Sequence, residues 1–158
     1  MRNVLLGILI VVCISCDSKQ VYHSYTSLGS SWDINEPVVL EVNELDSVPL
    51  YDAFITVRNN NQYPYSNLFL ITEMQFPKGR TYTDTLEYEM ANPDGTWMGT
   101  GFGDIKESKL LYREGVRFRE SGTYTFTIKH AVRKNGNIAG DAYLEGITEV
   151  GLRIEKQE

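Results

Sequence analysis

"TYTFTIKHAV" (residues 123–132) decides the fold class. Tyr124, Phe126, Ile128, His130 and Val132 fall on one side of a two-residue repeat, and Thr123, Thr125, Thr127, Lys129 and Ala131 fall on the other. A period of two is that of a half-buried β-strand; a helix would repeat its apolar residues every three or four positions. "EVGLRIEK" (149–156) alternates in the same way, with Val150, Leu152 and Ile154 against Glu149, Arg153 and Glu155. "TYTDTLEYEM" (81–90) sets Tyr82, Leu86, Tyr88 and Met90 in one row, with Asp84 as the misfit. "VVLEV" (38–42), "LYDAFITVRN" (50–59) and "LFLITEMQF" (68–76) are more apolar, as central strands are. In "KLLYREGVRF" (109–118), Val116 and Phe118 favour a strand.

Turn chemistry separates these runs at "NNNQYPYSN" (59–67), "PKG" (77–79), "NPDG" (92–95), "ESG" (120–122) and "KNG" (134–136). In "NPDG", Pro93 pre-sets φ and Gly95 suits the last position of a type I turn. Seven or eight short strands spaced in this way predict an all-β, two-sheet β-sandwich over residues 29–158. Pro64 between Tyr63 and Tyr65 marks a candidate cis bond.

The chain has 158 residues and opens "MRNVLLGILIVVCISC". Arg2 is followed by an apolar run from Val4 to Ile14, too short to span a bilayer, which takes about 20 residues. It suits the core of a secretory signal. Its ending in Ile14-Ser15-Cys16 matches a bacterial lipoprotein signal, with 1–15 removed and Cys16 acylated. Cys13 and Cys16 are the only cysteines, so the remaining chain has no thiol pair for a disulfide. Residues 16–28 read as lipid anchor and tether, the polar "DSKQVYHSYTS" (17–27) reaching at most about 35 Å.

Loss of Arg2 with the signal takes the formal net charge from −6 to −7. No basic run exceeds Arg133-Lys134, so nucleic acid is excluded as a partner on charge grounds. The net charge likewise predicts no attraction to anionic headgroups, leaving the acyl chains as the membrane contact.

"ANPDGTWMGTGFGDIK" (91–106) tests for a ligand site and fails for nucleotides. Gly99, Gly101 and Gly103 lack the spacing of a dinucleotide loop, and no Gly-Lys-Ser/Thr follows. Asn92, Asp94 and Asp104 offer oxygen to a cation, without the D-x-D-x-D-G run of a calcium loop. The alternative is a loop that needs glycine's backbone freedom. His23 falls in the tether and His130 on an apolar strand face, and no serine sits in a nucleophile elbow. No catalytic residue, metal ligand, cofactor or small-molecule substrate is expected. Tyr63, Tyr65 and Trp97 sit in turns and are the candidate partner-contact surface; they either project as anchors or fold back to cap the sandwich.

"RNNNQYPYSNLFLITEMQFPKG" (58–79), "DTLEYEMANPDGTWMGTGFGDIKE" (84–107), "LLYREGVRFRESGTYTFTI" (110–128) and "EGITEVGLRIEK" (145–156) resemble the GldH gliding-motility lipoproteins of Bacteroidetes. The resemblance runs in order from about Trp32 to Lys156. It implies a non-enzymatic cell-envelope lipoprotein of the gliding and type IX secretion machinery, with other gliding-motility envelope lipoproteins as partners. It carries one functional residue across, the acylated cysteine, as Cys16, on the outer membrane; "DSK" after Cys16 is not a strong acidic surface-export signal, which favours the periplasmic face. The segment 135–146 is longer than the family pattern. A carbohydrate-binding sandwich is the alternative, and it needs aromatics coplanar on one face. "DSV" at Ser47 and "DTL" at Thr85 are candidate O-glycan acceptors.

Overall fold

The computed structural model describes residues 19–134 and 136–158; the signal segment 1–15 and Cys16 lie outside them. Two four-stranded antiparallel sheets face each other. The first holds, in spatial order, β1 (Gln20–Ser27), β10 (Ile147–Lys156), β4 (Tyr51–Asn59) and β7 (Lys106–Val116). The second holds β3 (Val38–Asn43), β8 (Thr123–His130), β5 (Asn67–Gln75) and β6 (Thr81–Glu89). A two-stranded ribbon of β2 (Ser31–Asp33) and β9 (Tyr143–Glu145) lies apart from both. The chain is an all-β sandwich, and all seven alternating segments are strands.

Register explains the burial. Val150, Leu152 and Ile154 of β10 stand opposite Val57, Ile55 and Ala53 of β4, and all six are buried. In the other sheet Ile128, Phe126 and Tyr124 stand between Val38, Leu40 and Val42 on one side and Thr72 and Met74 on the other. These rows interdigitate as one core, the usual arrangement when two inner faces alternate apolar with polar.

The misfit Asp84 has a partner across the sandwich. It lies on the inner side of the edge strand β6, where Arg113 of β7 donates to its Oδ2 at 2.6 Å and the Tyr112 hydroxyl donates at 3.1 Å. Tyr88 of β6 donates to the Leu111 carbonyl of β7 at 2.8 Å. Edge strands β6 and β7 are thus stitched together along one side of the sandwich.

Three strands depart from expectation. Residues 20–27 are not tether: β1 pairs with β10 from Gln20↔Glu155 to Ser27↔Glu149. Tyr22, Ser24 and Thr26 face inward opposite Ile154, Leu152 and Val150, while His23 and Tyr25 face out. Tyr25 stands opposite Gly151, and a Cβ added at Gly151 would approach the Tyr25 ring to 2.7 Å. The ring fills the place of the missing side chain, which restores packing that a strand glycine forfeits. The other two, β2 and β9, are three residues each. Their value is Trp32, 1 % exposed, which closes the core at the end where β8 terminates. The Tyr63–Pro64 bond is trans.

Trp32 and His130 hold each other. The Trp32 indole donates to the Glu36 carbonyl at 2.9 Å, and the His130 Nε2–H donates to the Trp32 carbonyl at 3.1 Å. That contact assigns the proton of the neutral ring to Nε2 and leaves Nδ1 buried without a partner. Burial holds the His130 pKa below its ordinary 6.5, and the Trp32 carbonyl opposes the shift only in part. The unfolded chain therefore binds the proton more readily than the folded one, so this contribution is complete above about pH 6.5 and is lost as pH falls toward the folded pKa. His23 is shifted the same way, chiefly by burial and then by Arg153, so it shares the window. Urea unfolding between pH 7.5 and 5.5 should show stability falling with acid, with a shallower slope in His130→Gln. An equal slope in the two proteins would show that His130 does not titrate on unfolding.

Candidate functional site

The strands of the two four-stranded sheets run the length of the sandwich, so the loops collect at two ends. One end gathers the start of β1 with the ends of β7 and β10; the other gathers segments 28–37, 59–67, 90–105 and 131–146. The expected contact residues Tyr63, Tyr65 and Trp97 all lie at this second end, away from the N-terminus of β1.

They do meet, but as a cap. Tyr63 is 3 % exposed, its hydroxyl donates to the Asn67 carbonyl at 2.6 Å, and burial pushes its pKa well above the ordinary tyrosine value. Its backbone packs so closely on Gly146 (φ +79°) that a Cβ there would collide with the Tyr63 nitrogen. Tyr63 is therefore a core residue and cannot offer its ring to a partner. Tyr65 is half-buried, and its hydroxyl donates to Asp141, a bond that raises the phenol pKa to about 12 and ties segment 59–67 to segment 136–142. Trp97 is half-buried against the core; its indole donates to Asn61 Oδ1 at 3.0 Å. The planes of Tyr63 and Tyr65 are 70° apart and those of Tyr63 and Trp97 are 40° apart. This is not the coplanar exposed platform on which a sugar ring stacks.

The glycine loop has a different product. Thr100 and Glu107 exchange backbone hydrogen bonds at 2.9 and 2.8 Å, closing a tight excursion. At Gly101 φ is +150°, and a Cβ would lie 2.5 Å from the Ile105 carbonyl oxygen, so the turn admits no side chain there. Arg58 clamps the base, with its Nε 2.8 Å from Glu107 and its Nη1 2.7 Å from Glu149. From this base Phe102 projects 101 % exposed, flanked by Met98 and Ile105 at 52 % and 49 %. A groove of about 370 Å³ runs between the loop and the outer face of the first sheet. The sequence expectation of Trp97 as the projecting anchor is not met; the projecting aromatic is Phe102, held between Gly101 and Gly103.

The oxygen ligands in this loop are otherwise occupied. Asp94 Oδ1 accepts from the Thr96 amide and hydroxyl at 2.9 and 2.6 Å, and Asp104 accepts from Asn61 at 3.1 Å. Among the described residues no three His, Cys, Asp or Glu side chains gather as metal ligands. His130 is in the core and His23 lies half-buried on β1, so neither faces a cleft. Ser47 and Thr85 are both exposed.

Residues 20–154 match the family model described as GldH lipoprotein, from the first residue of β1 almost to the end of β10. The chain belongs to the GldH lipoprotein family. It is 54 % identical to the gliding motility lipoprotein GldH homolog of Christiangramia forsetii over 149 residues, covering 94 % of this chain and 91 % of that protein. It is 52 % identical to the gliding motility lipoprotein GldH of Flavobacterium johnsoniae, covering 96 % of each. Among solved structures, the VP2 subviral particle protein of infectious bursal disease virus aligns with 89 % of this GldH-family chain at a TM-score of 0.36 and 15 % identity, and the chain spans 34 % of that protein. A likeness that weak carries no argument about function.

The burial assignments separate two kinds of loop aromatic. Tyr63→Ala should cost about 3–5 kcal/mol of folding stability, as truncating a buried aromatic does, whereas Phe102→Ala should stay within about 0.5 kcal/mol of the parent. Chemical denaturation of the two variants checks this. A large loss in Phe102→Ala would mean that the loop folds back onto the sheet.

Proposed function

We propose that the protein is a non-enzymatic lipoprotein of the gliding-motility machinery, acylated at Cys16, anchored in the outer membrane on its periplasmic face, and linked through that machinery to type IX secretion. The observation that carries the reading is the family match over residues 20–154 together with relatives that bear the gliding-motility lipoprotein name over almost their whole length. The Ile14-Ser15-Cys16 ending supports acylation. Several acyl chains on one cysteine, each methylene contributing about 0.8 kcal/mol on burial, hold a protein stably where a single chain would not.

The arrangement suits a scaffold or adaptor. A rigid sandwich presents an exposed aromatic flanked by Met98 and Ile105 at the end opposite β1's first residue. Aromatic and methionine side chains are enriched in the energetic centres of protein interfaces. The partner-contact surface assigned to this reading is thus Phe102 with Met98 and Ile105, and of the residues expected from sequence Trp97, next to Met98 in the chain, comes nearest to it. The partners proposed are other envelope proteins of the gliding machinery.

Two variants test the two halves of this proposal. Cys16→Ala should abolish lipid labelling and release the protein from outer-membrane fractions, and retention through a high-salt wash would refute the lipid anchor. Phe102→Ala should keep the protein folded and membrane-bound while its co-purifying envelope partners fall by about thirtyfold in affinity, the loss expected of a 2 kcal/mol anchor. Unchanged co-purification would remove the loop from the interface.

A further inference from the structure

The expectation that charge plays no part at the membrane rests on the net charge, and the fold redistributes that charge. Cys16 precedes Gln20 by four residues, so the backbone can separate it from the start of β1 by at most about 14 Å. The end of the sandwich where β1 starts is therefore the end that faces the lipid, if Cys16 is acylated as proposed. Most segments reaching that end bring cations: Lys19 before β1, Lys78 and Arg80 between β5 and β6, Arg117 and Arg119 after β7, and Lys156 closing β10; the β3–β4 connection, 44–50, brings Glu44 and Asp46 instead.

Three of them share a groove. Arg80, Arg117 and Arg119 line it with Leu50, Phe76 and Tyr82, enclosing about 450 Å³. The Arg80 guanidinium is held 4.2 Å over the Phe76 ring and 5.2 Å from the Tyr82 ring, and its nearest acid, Glu120, is 3.8 Å away. Arg117 and Arg119 are exposed, and no hydrogen bond or ion pair joins them to an acid among the described residues. Acids share this end, with Glu44 and Asp46 on 44–50, Glu114 on β7, and Glu120, which lines a second depression with Glu44 and Arg119; others already have partners. Glu155 holds Lys109 and Arg153 at 2.6 and 2.5 Å, Asp52 accepts from the Gly115 amide and from Gln157, and Glu158 pairs with Lys19. Leu50 in the groove wall is 36 % exposed, and elsewhere at this end Val48 is 74 % and Val21 43 % exposed.

The Arg117 and Arg119 guanidinium forks, unpaired among the described residues, lie beside exposed apolar side chains at the end nearest the acyl chains, with Arg80 bridged only loosely to Glu120; this is matched to a phospholipid surface. Arginine's donors fit phosphate oxygens two at a time. The acids at the other end do not cancel the attraction. An eight-residue strand such as β8 is about 26 Å long, about three times the Debye length near physiological salt.

We propose that the Arg80–Arg117–Arg119 groove binds the phosphate of an anionic phospholipid in the leaflet that carries the acyl chains, so that the domain stands on the membrane with Phe102 pointing away. This inference rests on the acylation of Cys16. The two fail separately: mass spectrometry of the purified protein reads the acyl group directly, without reference to the groove.

The test uses the acylated full-length lipoprotein in vesicles of phosphatidylcholine, with and without phosphatidylglycerol. A benzophenone amino acid replaces Leu50 in one preparation and Phe102 in another. The probe at position 50 should crosslink to phosphatidylglycerol at least fivefold more than to phosphatidylcholine, in line with the roughly fivefold gain per basic residue at an anionic surface. The probe at position 102 should label no lipid. Arg117→Glu combined with Arg119→Glu should lower the position-50 yield at least fivefold with the acyl mass and melting temperature unchanged. Should that variant fold poorly, Arg117→Gln with Arg119→Gln serves, and the phosphatidylglycerol dependence of the parent stands alone. Equal yields on the two vesicle types, insensitivity to the double variant, or capture of protein in place of lipid in native envelopes would each overturn the proposal.

Discussion

The pairing of β1 with β10 fixes which end of the sandwich lies nearest Cys16, and the orientation proposed at the membrane depends on it. Tyr22, Ser24 and Thr26 extend the buried row of β10, and Tyr25 covers the bare backbone at Gly151. Were residues 17–27 a free tether, the domain would hang from the lipid by up to about 35 Å of chain and could present any face. As a strand, the same residues leave only the short run after Cys16 outside the sheet. The orientation of the sandwich then follows from its own antiparallel register: strands that start near β1's first residue finish at the far end.

Two ends with different chemistry result. The end near Gln20 carries Arg80, Arg117, Arg119 and exposed valines, while the opposite end carries Phe102, Met98 and Ile105 on a loop clamped by Arg58. Neither set forms a cleft with convergent catalytic groups. The titratable residues with large shifts are tyrosines such as Tyr63, Tyr88 and Tyr112, raised first by burial, which is the signature of packing in a core. The proposed adaptor role would use both ends: a lipid on Cys16 would set position, the register sets direction, and the glycine loop sets one apolar tip.

Seven of the strands are legible because their alternation is written in strongly apolar residues, as in Val150, Leu152 and Ile154. β1 is not, because its inward row is Tyr22, Ser24 and Thr26, whose polarity matches that of a linker; its strand character appears only against the buried face of β10. The ribbon of β2 and β9 has three residues in each strand, too few for any period. Asp84 breaks its row in sequence because its partner Arg113 is on another sheet. Tyr63 sits in a stretch of turn composition yet is buried, since the turn folds inward onto Gly146. The cations near Gln20 are scattered from Lys19 to Lys156, so their convergence is a property of topology and no composition count reveals it.

The account depends on β1 being part of the folded sheet in the membrane-bound protein. Amide hydrogen exchange of the acylated full-length lipoprotein in vesicles tests this most directly. Exchange within residues 20–27 should be slowed to the range of its partner segment 149–155 in β10. Exchange there as fast as in the exposed segment 136–140 would contradict the account, because β1 would then be a tether and neither end of the sandwich would have a fixed relation to the bilayer.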